Sequence, residues 1–231
     1  MIDLTPEEWT AILLSIRVAT VATLVATPIA IGVAWLLARV DFYGKPLLDA
    51  IVHLPLVLPP VVTGYVLLLT FGRRGLVGAW LADNLGIVFA FRWTGAALAC
   101  GIMAFPLLVQ PIRLSIEAVD RRLEQAASTL GAARLQVFAT VTLPLALPGV
   151  IGGMVLAFAK ALGEFGATIT FVSNIPGQTQ TIAGAIHSFI QTPNGDAAAL
   201  RLTMISIAIS VAALMASTFF ARRATQRLHG A

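Results

Sequence analysis

The chain has 231 residues, of which 58% are hydrophobic and only 11% charged, and its mean hydropathy is +0.90. A soluble domain carries about 25% charged residues, so a soluble enzyme, a coiled coil and a disordered chain are excluded and most of the surface must face lipid. Fifteen Lys and Arg against eleven Asp and Glu give a formal +4. In a membrane protein that excess reports orientation before any nucleic-acid partner, and none is expected.

The amino terminus is acidic, with Asp3, Glu7 and Glu8 ahead of the first cation, Arg17. A cleavable signal peptide needs a positive start, so none is expected. Thr5-Pro6-Glu7-Glu8 reads as a helix start, with Thr5 as cap and Pro6 in the first turn. About 20 apolar residues span a bilayer core, and five stretches qualify: 11–38, 50–71, 93–112, 149–172 and 202–221. The expected fold is all-α, a single transmembrane domain over 1–231 with five spanning helices. Residues 75–91 and 181–192 are shorter or interrupted and read as interfacial or re-entrant helices. The single cysteine, Cys100, lies in an apolar run, so it forms no intrachain disulfide and reads as a small buried hydrophobe.

Pro55, Pro59 and Pro60 in the second stretch should bend or interrupt it, either as part of a gate or as a plain kink. With the amino terminus outside, the inside segments hold Arg39, Lys45, Arg113, Arg121, Arg122, Arg134, Arg222, Arg223 and Arg227. The outside segments hold Arg73, Arg74, Arg92 and Arg201. The positive-inside rule therefore favours an outer amino terminus and an inner carboxyl terminus, against the dissent of Arg73 and Arg74. Arg222, Arg223 and Arg227 read as a basic anchor at the inner surface.

The inside loop 113–148 is long for packed helices, which are usually joined by about 2–8 residues. Leu123, Ala126, Ala127 and Leu130 fall at i, i+3, i+4 and i+7 and form one apolar stripe. Gly131 follows where a left-handed cap would end that helix. Leu135, Phe138 and Val141 begin a second helical phase, and Pro144 and Pro148 mark the start of the next span. Two readings stand at this point: a helix lying on the bilayer, or a short helix offered to a soluble partner.

Gln125-Ala126-Ala127, Gly131 and Val141-Thr142-Leu143-Pro144 resemble the EAA loop of bacterial ABC importer permeases: Glu-Ala-Ala, three residues, Gly, nine residues, then an aliphatic residue, any residue and Leu-Pro. This sequence departs at Gln125, where the family usually has Glu, and the neighbouring Glu124 does not inherit that role. A neutral Gln can still hydrogen-bond a partner. The segment from His53 to Tyr65, the Gly163–Thr168 segment, the Ser173–Gly177 segment and Gly72-Arg73-Arg74-Gly75 are similar to the permeases of molybdate importers. Sulfate permeases are similar in the loop but less so around Arg73 and Arg74. The resemblance implies an inner-membrane permease acting as a homodimer with two copies of a separate ABC ATPase, which would bind ATP-Mg, and a periplasmic molybdate-binding protein. It also implies that Leu123, Gln125, Ala126, Ala127, Leu130, Gly131, Val141, Leu143 and Pro144 form the ATPase-coupling loop. Sulfate, thiosulfate or tungstate import stays open as an alternative.

Glu164 is the most conspicuous intramembrane charge, and such a group is expected to be paired or to face a cavity. Lys160 lies one turn earlier on the same helical face. Glu164 reads either as a local pair with Lys160 or as a gate position, and it is unsuited to binding an anion directly. Pro59, Pro60, Thr63, Glu164, Thr168, Thr170 and Ser173 are the candidate gate or pathway residues, although membrane Ser and Thr often bond their own helix. His53, His187 and His229 have no metal-ligand spacing, so neither a metal nor a cofactor bound to this chain is expected. No Gly-x-x-x-x-Gly-Lys-Ser/Thr occurs, so the chain is not expected to bind and hydrolyse ATP by that route alone. The rival classes are a secondary anion transporter or channel, for which no internal repeat is visible, and an intramembrane enzyme, for which no catalytic set is visible.

Overall fold

Thr5 caps the first helix, α1 (Pro6–Arg39), through a reciprocal box with Glu8, and Pro6 occupies its first turn. The computed structural model describes the backbone of residues 4–229 and side chains through residue 216. Asp3 and the side chains of Arg222, Arg223, Arg227 and His229 therefore lie outside the described residues. The helices that follow are α2 (Lys45–Val57), α3 (Pro60–Phe71), α4 (Leu76–Leu85), α5 (Trp93–Ala118) and α6 (Arg121–Thr129). A short α7 (Arg134–Val137) continues through a π segment (Phe138–Thr142) into α8 (Leu143–Leu162), and α9 (Gly166–Val172), α10 (Ile182–Phe189) and α11 (Asp196–His229) complete the order. The described residues are all-helical with irregular connections.

Among the described residues four helices are long and apolar enough to cross a membrane, and α2 with α3 makes a fifth candidate bent by 115°. Ion pairs decide whether that bent pair crosses or turns back. Arg39, the last residue of α1, bonds Glu124 just beyond the end of α5, at 3.2 Å. Arg113, near the end of α5, reaches Asp49, near the start of α2, at 2.9 Å. At the opposite end, Phe71 closes α3 and packs edge-on against Phe89, just before α5 begins. α1 and α5 therefore run parallel, and the α2–α3 pair must traverse the membrane between them. Among the described residues five crossings result, and the α2–α3 crossing is broken within itself.

The core is built from small residues. Ala19, Ala22, Ala26, Ala30 and Ala34 of α1 are buried against α5, whereas Leu24, Val25 and Ile29 are exposed. Lipid gives large apolar side chains no reason to hide, so close backbone approach along small residues does the packing. Pro106 and Pro111 lie inside α5 without breaking it. α5 also continues to Ala118, so the connection expected over 113–148 reduces to about residues 119–133.

The second expected helical phase belongs to the fourth span itself. Pro144 offers no backbone N–H and its ring crowds the preceding turn. The turn before it widens into the π segment, and Leu143 N–H bonds back to Phe138, so the helix passes through the proline without ending. That span is continuous from Arg134 to Leu162 and then stops. The expected uninterrupted helix over 149–172 is broken at Gly163–Phe165. The two weaker stretches fold as α4 and α10.

Candidate functional site

Two places concentrate the sequence-singled residues: the α5–α8 connection and the junction of the two broken spans. In the connection, Asp120 caps α6 by accepting the Arg122 N–H. Gly131 adopts φ +89°, its N–H bonds the Ser128 carbonyl, and Ala132 N–H bonds the Ala127 carbonyl. These two bonds form a complete Schellman ending, which only a residue tolerant of positive φ can supply. The left-handed cap expected at Gly131 is present.

The expected stripe does not pack on the bundle. Leu123 is 50% exposed and Leu130 89% exposed, while Gln125 and Ala126 are also on the surface. A single side chain, Glu124, ties the face opposite to the span ends. Its Oε1 accepts from Arg39 Nε and, at 2.7 Å, from the buried Thr142 hydroxyl in the π segment. Arg39 also donates to the Val119 carbonyl. Glu124 therefore points inward and Gln125 outward, which separates an anchoring role from a surface role in adjacent residues. Behind α6 lies a cavity of about 480 Å³ lined by Trp35, Arg121, Arg134 and Phe138 among others. Val141, Leu143 and Pro144 sit in the π segment and the first turn of α8, adjoining α6 through Thr142.

At the junction, Leu58 and Pro59 are extended because a proline follows each of them. The break falls there and Pro60 starts α3, whereas Pro55 stays inside α2. α8 ends at Leu162, and the Glu164 side chain caps the next helix instead of riding on a continuous one. Its Oε1 accepts the Ala167 N–H at 3.0 Å, while Oε2 receives Lys160 Nζ at 2.7 Å. A carboxylate at a helix amino terminus is favoured by the orphan N–H groups and the helix dipole. Glu164 is only 2% exposed, so its charge is met on both sides within the protein. Cys100 donates to the Ala161 carbonyl, which sets the junction level with Cys100, about 10 Å along α5 at 1.5 Å per residue.

The two restarted helices, α3 and α9, lie against each other. A Cβ on Gly64 would come within 2.5 Å of the Ala167 carbonyl, and one on Gly166 within 2.7 Å of Pro60 Cβ. Both glycines are required by that approach. The three candidate threonines separate. Thr168 donates to the Phe165 carbonyl and Thr170 to the Gly166 carbonyl, both at 2.9 Å. Thr63 is 7% exposed and its hydroxyl has no hydrogen-bond partner among the described residues. Ser173 ends α9 at φ +66°, a left-hand conformation unusual for Ser, and its backbone carbonyl accepts from Thr179. Asn174 then crosses to the Ser188 hydroxyl at 2.8 Å and holds α10 beside the loop.

Several functional-looking contacts escape the sequence. Glu8 is fully buried and accepts from Arg201 at 2.8 Å, joining the starts of α1 and α11. The Ser15 hydroxyl accepts the Ile182 N–H at 2.7 Å and fixes the start of α10. Arg39 and Arg113 do more than report sidedness, since each bonds a named acid. Such pairs lie 64 to 193 residues apart, and only the fold brings them together.

Comparison with known proteins agrees with this architecture. Residues 26–227 match the family described as binding-protein-dependent transport system inner membrane component. The chain is 58% identical over 224 residues to the molybdenum transport system permease protein ModB of Escherichia coli (strain K12), covering 97% of this chain and 98% of that protein. It is 54% identical over 221 residues to the protein of the same name from Haemophilus influenzae, covering 96% of each. Among solved structures, a bacterial alginate ABC transporter in complex with an alginate pentasaccharide-bound periplasmic protein superposes with a TM-score of 0.75 at 17% identity. That likeness covers 96% of this chain and 81% of that one and speaks for the fold.

Proposed function

The chain belongs to the family of binding-protein-dependent transport system inner membrane components, and from that premise we propose how it works as the permease of a molybdate ABC importer. Its identity of 58% to a molybdenum permease across nearly the whole length carries the substrate reading. The chain is a transport subunit of the inner membrane and hydrolyses nothing itself. It works with an ABC ATPase and a periplasmic binding protein. In our reading the permease is a homodimer joined to two ATPase copies that bind ATP-Mg, and the binding protein is specific for molybdate. A two-fold axis would place the pathway between the two copies.

The need for an external drive follows from charge. A dianion entering a cell held at about −100 mV is opposed by roughly 2 × 2.3 kcal/mol before any concentration gradient. The coupling face is Leu123, Gln125, Ala126, Ala127 and Leu130, and its support is the exposure of Leu123, Gln125, Ala126 and Leu130, with Ala127 half-buried, on a helix anchored by Glu124. Val141, Leu143 and Pro144 carry a push on α6 into α8. The gate is the paired break of α2–α3 and α8–α9, around Pro59, Pro60, Thr63, Glu164, Thr168, Thr170 and Ser173. Glu164 acts there by holding α9 and Lys160, since a carboxylate would repel molybdate. The Thr63 hydroxyl, with its donor uncommitted, is the junction group best suited to meet an oxyanion.

The experiment is uptake of labelled molybdate into liposomes holding this chain with its ATPase and binding protein. Uptake is expected to require both ATP and the binding protein, and to be competed by tungstate more strongly than by sulfate. Transport that proceeds without ATP would instead favour the secondary-transporter class, and preferential sulfate uptake would overturn the substrate.

A further inference from the structure

A long apolar groove runs between α1, α2 and α5, and none of the coupling-loop or gate candidates lines it. It encloses about 650 Å³, and Thr94 is its one polar lining residue. Along α1 it extends from Val21 to Val33, about 18 Å at 1.5 Å per residue. That is close to one leaflet of a hydrocarbon core about 30 Å thick. Trp93 and Phe105 line its α5 side, and Leu48 and Pro55 its α2 side.

Charge marks one end. Arg17 lies one turn before Val21 on α1, and its guanidinium stacks on the Trp93 ring at 3.8 Å from the centroid. Arg92 is the cap residue of α5, immediately before Trp93. Both arginines are exposed, and neither has an acidic partner among the described residues. A cation on the outer face of a spanning helix needs a counter-charge or the headgroup layer. Trp93 at the first position of α5 sits where aromatic residues mark the membrane–water boundary.

We propose that this groove is a binding site for one phospholipid, with its phosphate on Arg17 and Arg92 and one acyl chain lying between α1, α2 and α5. The length of the groove is close to one leaflet, its lining offers water little beyond Thr94, and two arginines without acidic partners among the described residues stand at one end. An anionic phosphatidylglycerol satisfies two positive charges better than a zwitterionic lipid. The occupant reading depends only on the chain residing in a bilayer and is independent of the transported ion.

The test uses the purified transporter complex, delipidated in mild detergent and titrated with phosphatidylglycerol or phosphatidylcholine of identical tails, with bound lipid counted by native mass spectrometry. Phosphatidylglycerol is expected to be retained in preference. Arg17→Gln should weaken retention about tenfold, the loss of one charge-assisted contact, and Arg17→Lys should restore part of it. Val25 is exposed and lines the groove, so Val25→Trp should fill it without entering the core and exclude the tail. Retention unchanged in both Arg17→Gln and Val25→Trp would overturn the proposal. So would disulfide cross-linking in native membranes between Val25→Cys chains of two permease copies, which would assign the groove to a protein interface.

Discussion

At the scale of single residues, the Lys160–Glu164 pair is the sharpest case. Glu164 is enclosed, while the Lys160 side chain is about one-third exposed, at 32%. Removing one partner of a buried pair costs about 3–5 kcal/mol because a charge is left uncompensated, and the partial exposure of Lys160 reduces that to on the order of 2 kcal/mol. Lys160→Met should therefore lower the melting temperature of the detergent-purified permease more than Glu164→Gln does. The double variant should recover part of the loss, because Gln can still accept from the Ala167 N–H. Strictly additive losses would mean the two side chains do not act as a pair. Thr63 calls for the opposite experiment. Its hydroxyl is buried without a hydrogen-bond partner among the described residues, so Thr63→Val should leave stability within about 1 kcal/mol of the parent. Molybdate uptake should nevertheless fall; unaltered uptake would remove Thr63 from the pathway. The sequence displayed the i,i+4 spacing of Lys160 and Glu164 plainly. It could not reveal that Glu164 also caps a new helix, because nothing local says that α8 stops at Leu162. Nor could it distinguish Thr63 from Thr168 and Thr170, since all three are threonines in apolar helices and only the packing of α3 on α9 separates them.

At the scale of elements, the proposed mechanism rests on helix ends. Gly131 has open space around a Cβ, so a substitution there is opposed by its +89° backbone and not by a clash. Gly131→Asn should be nearly tolerated, Gly131→Ala should cost roughly 1 kcal/mol, and Gly131→Val should cost more, since β-branched residues resist positive φ. The spans do not depend on that turn, so all three variants should insert and assemble. Co-purification of the ATPase, and ATP hydrolysis stimulated by molybdate-loaded binding protein, should decline in the same order. Equal coupling in all three would show that the end of α6 transmits nothing. This ending was legible, because an apolar stripe followed by glycine has few other meanings. The passage from α7 through the π segment into α8 was not. Pro144 looks like a helix boundary in any linear reading, whereas the widened turn that lets the helix run through it lies beside two contacts distant in sequence, the Glu124–Thr142 bond and the Trp35–Phe138 ring contact. The break at Pro59–Pro60 was visible as a proline cluster, while the matching break at Gly163–Phe165 was hidden in an apolar run that hydropathy alone counts as one span.

At the scale of the whole molecule, the ion pairs and ring contacts fix which helix ends share a side, and only the absolute direction is left to charge. Glu8 with Arg201, Ser15 with Ile182, and Arg17 with Trp93 gather the starts of α1, α10, α11 and α5 at one end. Arg39 with Glu124 and Arg113 with Asp49 gather the other ends of α1 and α5 with the start of α2. The second end also holds Lys45, Arg121, Arg122 and Arg134, so in the proposed orientation the positive-inside rule would put it in the cytoplasm, where an ATPase could reach α6. Arg73 and Arg74 lie at the opposite end, just beyond α3; in that orientation a pair of cations in a short segment is outvoted by the larger group. Thr5 and Ala133 are both exposed and lie at opposite ends, which makes them reporters. Cys100 is fully buried between α5 and α8, so it adds no background to a thiol probe. In right-side-out spheroplasts an impermeant maleimide should label Thr5→Cys at once and Ala133→Cys only after permeabilisation. Bound ATPase should then protect Ala133→Cys in permeabilised cells, because that residue adjoins the Gly131 turn. Labelling of Ala133→Cys from outside, with Thr5→Cys silent, would invert the molecule, and an ATPase confined to the cytoplasm could not then dock on α6.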